Sequence, residues 1–140
     1  MQKLKVYLAG PMTGYPNHNF PAFNRAAAAL RAAGCYVFNP AENELPEKFA
    51  DSEEFKQGRC SPELYRTLLA EDLNFICTQA DAIALLPGWQ KSKGAMAEKA
   101  TADALGLGVI FLNDDSEISA FTNPKKAGVQ LDLFLDNEAA

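Results

Sequence analysis

This sequence predicts a single-domain α/β fold: a doubly wound, Rossmann- or flavodoxin-like parallel sheet of four to five strands with helices on both faces. Three observations carry the prediction. Short apolar runs recur along the chain, segments of helical periodicity separate them, and glycine, proline or asparagine punctuates their ends. At 140 residues there is room for one domain and too little for two ordinary ones.

The elements follow in order. Residues 4–9, LKVYLA, read as a buried strand stopped by Gly10-Pro11. A polar loop runs from Thr13 to Asn19. Phe20, Phe23, Ala27 and Leu30 then fall at helical spacing, with Asn19 able to cap, Pro21 suited to the first turn and Gly34 able to end the helix. Cys35 to Phe38 form a second strand, ended by Asn39-Pro40. Residues 41–60 are polar and acidic and read as a surface loop or flap. Ser61-Pro62-Glu63 opens a helix running to about Gln79. DAIALLP, 81–87, is a third strand, Trp89 to Lys93 a loop, and Gly94 to Leu105 a helix of small residues. VIFL, 109–112, is a fourth strand. In the tail, apolar residues alternate at 129, 131, 133 and 135, which suits a fifth strand or a helix. Alternating strands and helices imply right-handed parallel crossovers, with ligands outside the carboxyl ends of the strands. The loops 10–19, 39–60 and 87–94 are therefore the ones expected to carry a site.

Composition removes several classes of function. Hydrophobic residues make up 48% of the chain and charged residues 22%, a globular balance. No stretch approaches the roughly 18 apolar residues of a membrane span, and the amino-terminal apolar run is too short for a signal peptide. A cytoplasmic protein without a membrane partner is expected. The net charge of −5, from 13 basic and 18 acidic residues, argues against polymeric nucleic acid as a partner. A small anionic ligand needs only a few local donors. Three widely spaced cysteines and one histidine, with no CxxC pair, imply reduced thiols and no metal site. No GxSxG elbow is present for a serine hydrolase.

Two carboxylates stand in unexpected company. On its helix, Asp72 has Leu68, Leu69, Phe75 and Ile76 as its i±3 and i±4 neighbours, so its carboxylate lies on the apolar face. An ionised group there needs donors or a ligand. It either caps a nearby loop or binds substrate at a cleft. Glu98 is surrounded by Gly94, Ala95, Thr101 and Ala102, all small enough to admit a sheet or a ligand, and it belongs near the carboxyl edge of the sheet. The bland alternative is a carboxylate that complements the helix dipole. The segment PGWQKSKGA before it supplies Ser92, Lys93, Gly94 and free amides at a helix start, a cradle for phosphate, although neither a Walker A nor a GxGxxG pattern is present. His18 reads as a surface loop residue, with contact to substrate as the alternative, and Cys77 as a core residue.

Taken together, Tyr7-Leu8-Ala9-Gly10-Pro11, Asp72 within a helix, Ala80-Asp81 opening a strand, and Ser92-x-Gly94-x-x-x-Glu98 resemble the nucleoside 2-deoxyribosyltransferase superfamily. Within it the pattern is similar to the 2'-deoxynucleoside 5'-monophosphate N-hydrolases, and the YLAGPMTG start with NFPAFN looks like an often phage-encoded branch. The resemblance covers about residues 3–112. It implies Glu98 as the nucleophile at the anomeric carbon, Asp72 as the residue that binds sugar hydroxyls and orients it, and Tyr7 beside it. Gly10, Pro11, Met12 and Thr13 would line the substrate through the first loop, with Met12 toward the base. Ser92 stands where transferases acting on free nucleosides carry aspartate and monophosphate hydrolases carry a phosphate-binding serine. Ser92 and Gly94 are thus expected at the 5'-phosphate. Trp89, after Pro87-Gly88 at a strand end, either stacks on a base or packs against the protein. The first loop departs from the hydrolase pattern in lacking an arginine.

The expected activity is hydrolysis of the N-glycosidic bond of (deoxy)nucleoside 5'-monophosphates, with no cofactor and no metal. Base exchange by a nucleoside 2-deoxyribosyltransferase, and non-catalytic nucleotide binding or sensing, are the alternatives. The implied partners are a small nucleotide or nucleoside and a second copy of the chain, in a homodimer or higher homo-oligomer.

Overall fold

The structure, a computed structural model, describes residues 3–43, 60–125 and 131. Among these residues five strands form one sheet: β1 (Lys5–Ala9), β2 (Tyr36–Phe38), β3 (Ala82–Leu85), β4 (Gly108–Leu112) and β5 (Ile118–Thr122). Three α-helices among the described residues accompany them: α1 (Phe20–Ala32), α2 (Pro62–Thr78) and α3 (Lys93–Ala104). The strand order is β2-β1-β3-β4-β5, with the first four strands parallel and β5 antiparallel to β4. The predicted α/β architecture is therefore the observed one.

Strand periodicity sorts the core into two layers. Successive side chains on a strand point to opposite faces. Val6 and Leu8 of β1 and Ala82 and Ala84 of β3 pack with Phe23, Ala26, Ala27 and Leu30 of α1. Tyr7 and Ala9 of β1 and Ile83 and Leu85 of β3 pack with Phe75 and Ile76 of α2 and Ala95 and Ala102 of α3. Both faces are covered, which is why these strands read as unbroken apolar runs.

The helix ends show their local causes. Ser61 Oγ accepts a hydrogen bond from Leu64 N at 3.2 Å, with Pro62 in the first turn, so α2 starts where its SPE signal lies. Ser92 Oγ accepts from Ala95 N at 3.2 Å and caps α3. Asn19 corrects the expectation for α1. It precedes that helix with φ 61° and makes no side-chain cap; its Nδ2 donates instead to Pro11 O at 2.9 Å, closing the first loop on itself.

Two further expectations are revised. The fifth strand is Ile118–Thr122, reached through a turn in which Asn113 Oδ1 accepts from Asp115 N at 2.9 Å and from Glu117 N at 3.0 Å. The alternating segment 129–135, read as a strand or helix, lies outside the described residues except for Leu131, which is buried in the α1-side core. Cys77, expected in the core, is exposed, because Phe75 and Ile76 occupy the inward positions of that turn. Of the loop expected at 41–60, residues 44–59 lie outside the described residues, and Pro40–Glu42 form a 3-10 turn. Among the described residues, no helix is long and apolar enough to cross a membrane.

Candidate active site

β1 and β3 are neighbours in the sheet although their crossovers lead to opposite faces. This is the topological switch point, where doubly wound folds leave a crevice at the carboxyl ends of the strands. A cavity of about 640 Å³ lies there, within the range of small-molecule sites. Its wall combines the end of β1, the loop after it, α2 and the first turns of α3.

Glu98 is at its base. It belongs to the second turn of α3 and is only 6% exposed. Tyr7, on the same face of the sheet and 1% exposed, donates from Oη to Glu98 Oε2 at 2.8 Å. The Tyr7 ring stacks on Phe38 with centroids 5.4 Å apart and lies 6.3 Å from Phe75, so an aromatic cluster fixes the phenol's aim. Asp72 reaches the same place from α2, lines the same cavity, and is close enough to Tyr7 and Glu98 for the three groups to set one another's electrostatics. Its position on the apolar face of α2 is thus explained by a partner 26 residues downstream in sequence.

Burial sets the electrostatics. It holds the Glu98 carboxyl well above the usual range, and the Asp72 charge raises it further, against the hydrogen bond from Tyr7. Asp72 is pushed up to about 6, also by burial first, with the polar groups of Tyr7 and Glu98 opposing. Both carboxyls therefore hold a proton more firmly than a free carboxyl does, and they titrate as a pair. Burial, then the Glu98 and Asp72 charges, raise the Tyr7 phenol well above its usual value, so it remains a hydrogen-bond donor. Titratable groups perturbed by burial and by one another in a cleft cluster at functional sites.

The rest of the wall holds most of the expected contacts. Gly10, Pro11, Met12 and Thr13 line the cavity from the first loop, and Ser92 and Gly94 from the start of α3. Gly10 has a steric reason to be glycine. A Cβ there would lie 2.7 Å from Leu86 Cβ, so any side chain would push the ends of β1 and β3 apart. Ser92 caps α3 and lines the cavity at once. Trp89 is corrected. It is absent from the cavity wall and packs against Phe111 at 6.4 Å between centroids, with Lys99 Nζ 5.7 Å from its ring centroid. The 3-10 turn Trp89–Lys91 carries its side chain away from the switch point, toward β4.

Several lining residues were not anticipated. Tyr65 stands seven positions before Asp72 on α2, which is two turns along the same face and was a readable signal. His18, read as a surface residue, lines the cavity, as do Phe20 and Phe23. The loop that carries His18 is tied down: Tyr15 N donates to Met12 O at 3.1 Å and His18 N to Tyr15 O at 3.0 Å. Asn17, His18 and Asn19 have φ of 53°, 56° and 61°. Each non-glycine residue in that left-handed region costs on the order of 1 kcal/mol. No local sequence rule predicts three in a row.

Among the described residues, no group of three or more His, Cys, Asp or Glu is placed to hold a metal ion. A family model described as a domain of unknown function, DUF4406, matches residues 4–111, a span that contains every residue named above for the site. No match was found among curated proteins.

Proposed function

We propose that this chain, which belongs to the DUF4406 family, is an N-glycosidase that hydrolyses (deoxy)nucleoside 5'-monophosphates through Glu98, as the nucleoside 2-deoxyribosyltransferase-like residues imply. The observation that carries the reading is the buried Tyr7–Glu98 hydrogen bond of 2.8 Å beside Asp72, at the floor of a cavity at the switch point. A carboxylate in that setting suits a reaction whose transition state carries positive charge on a sugar ring.

In this mechanism a proton held by the carboxyl pair rests on Asp72, whose oxygens also hold a sugar hydroxyl. Glu98, freed of it, bonds to C1' as the base departs. Tyr7 keeps the attacking carboxylate aimed by donating to its other oxygen. Water then attacks C1', the ester to Glu98 breaks, and sugar phosphate leaves. Ser92, the amides at the start of α3 and the neighbouring Lys91 and Lys93 are the groups suited to the 5'-phosphate. Base exchange needs the same first half, with a second base in place of water.

The burial of Glu98 suits a different class as well. Burial raises its carboxyl, and a carboxyl that holds its proton more firmly is a weaker nucleophile, which fits nucleotide binding without turnover. Chromatography separates these readings. The purified protein and Glu98→Ala are incubated with each ribo- and deoxyribonucleoside monophosphate, with and without acceptor bases. Free base released by the wild type alone is the expected result. New nucleosides formed only with acceptor present would favour exchange. No product under any condition would remove both enzymatic readings.

A further inference from the structure

We infer that His18 is the acid that protonates the departing base, an inference that rests on the glycosidase reading. Attack by Glu98 deals with the sugar alone. The electron pair of the C1'–N bond leaves with the base, and a positioned acid that neutralises it speeds departure. The groups around Glu98 are committed elsewhere. Tyr7 gives its hydrogen to Glu98, Asp72 comes from α2 on the nucleophile's own side of the sheet and holds a sugar hydroxyl in the proposed mechanism, and Lys91 and Lys93 flank the start of the helix that carries the nucleophile.

A leaving group departs on the side opposite the nucleophile, so the acid must come from the facing wall. The fold supplies such a wall. Glu98 and Asp72 belong to the α2–α3 layer, whereas His18 and Phe20 come from the connection into α1, the layer on the other face of the sheet. His18 is the sole histidine of the chain, and imidazole is the side chain that gives and regains protons most readily near neutrality. Its setting is also specific. Its ring lies 5.3 Å from Phe20, its amide is bonded to Tyr15 O at 3.0 Å, and the Asn19–Pro11 hydrogen bond of 2.9 Å closes the loop behind it. Three successive left-handed residues bring His18 to the cavity wall, a costly conformation that a merely solvated loop would not need.

The step balances. The imidazolium passes its N–H proton to a ring nitrogen of the base, the C1'–N bond breaks with its electron pair leaving on the base, and a Glu98 oxygen bonds to C1'. Water enters from the side the base has vacated. It gives one proton to the neutral imidazole as its oxygen bonds to C1' and the Glu98 ester breaks, which restores both groups.

The test compares wild type and His18→Asn on deoxyguanosine 5'-monophosphate and on its N7-methylated form, whose cationic base leaves without further protonation. Asparagine tolerates the left-handed backbone at this position. The readout is kcat/KM for base release, which covers steps only through base departure. The expected loss is about a hundredfold on the unmethylated nucleotide and far smaller on the methylated one. Equal loss on both, or loss on neither, overturns the assignment while leaving the glycosidase reading intact. Failure of the wild type to release base from either nucleotide counts against the glycosidase reading and takes this inference with it.

Discussion

Asp72 shows how one residue can be anomalous in sequence and ordinary in structure. Its carboxyl lies on the apolar face of α2 because Tyr7 and Glu98 meet it there. Burial that raises both carboxyls also makes the folded state prefer the protonated pair, so its contribution to stability has a defined sign. That contribution is full below the ordinary carboxylate range, near pH 4, and is lost as pH rises through about 6 for Asp72. Asp72→Asn removes the repulsion and keeps a hydrogen-bonding partner for Glu98. It is expected to melt at a higher temperature than wild type at pH 8, by roughly 1–3 kcal/mol in stability, with little difference at pH 4. Base release should fall by at least about a hundredfold in the same variant. Thermal melts across pH check the first claim. A wild type that gains on the variant as pH rises would overturn it. The difference curve also cancels the opposite slope from Glu42, whose carboxyl the Arg31 guanidinium holds low.

At the scale of elements, the start of α3 has two duties, and a single substitution separates them. Ser92 caps the helix by accepting from Ala95 N, and it lines the cavity. Aspartate caps a helix as well as serine does, but it brings a negative charge to the place suited to phosphate. Ser92→Asp is therefore expected to keep the wild-type melting temperature within a few degrees. It should raise KM for a nucleoside monophosphate by about tenfold or more, while KM for the unphosphorylated nucleoside moves little. Equal KM changes for the two substrates would mean that Ser92 serves the helix alone. Ser92→Ala is the complementary control, costing about 1 kcal/mol through the lost cap. The element boundaries themselves were readable wherever a side chain signals them locally, as Ser61-Pro62 does for α2. Where the signal is turn chemistry alone it was missed: Asn113-Asp114-Asp115-Ser116 leads into β5, which the apolar runs did not mark.

At the scale of the whole molecule, the site is assembled from residues remote in sequence: Tyr7 and Glu98 are 91 positions apart. The two helices that bring the carboxylates also present apolar surface to solvent. Tyr65 on α2, which lines the cavity, is 37% exposed, and Met96 on α3 is 45% exposed. Scattered exposed apolar residues are common. If the chain self-associates as the sequence reading expects, these residues are where a second copy would cover the rim of the site. Light scattering on the eluting protein is expected to give the mass of two or more chains. Met96→Glu should lower that mass. A wild type that elutes with the mass of one chain at micromolar concentration would overturn the expectation.

The sequence by itself determined the class of fold, the layering of the core and the identity of two of the three central residues by residue type and neighbourhood. Alternation along β1 places Tyr7 and Ala9 on one face and Val6 and Leu8 on the other, and the periodicity of α2 puts Asp72 among leucines. These are consequences of local geometry, which covalent spacing dictates. Only the tertiary structure decided which groups meet. It set the Tyr7 hydroxyl against Glu98, turned Trp89 toward Phe111 and away from the cavity, and carried His18 to the cavity wall on a left-handed loop. The physical reason is common to all three. A side chain's neighbours across the sheet are chosen by strand order and loop conformation, and both are settled by packing over the whole chain.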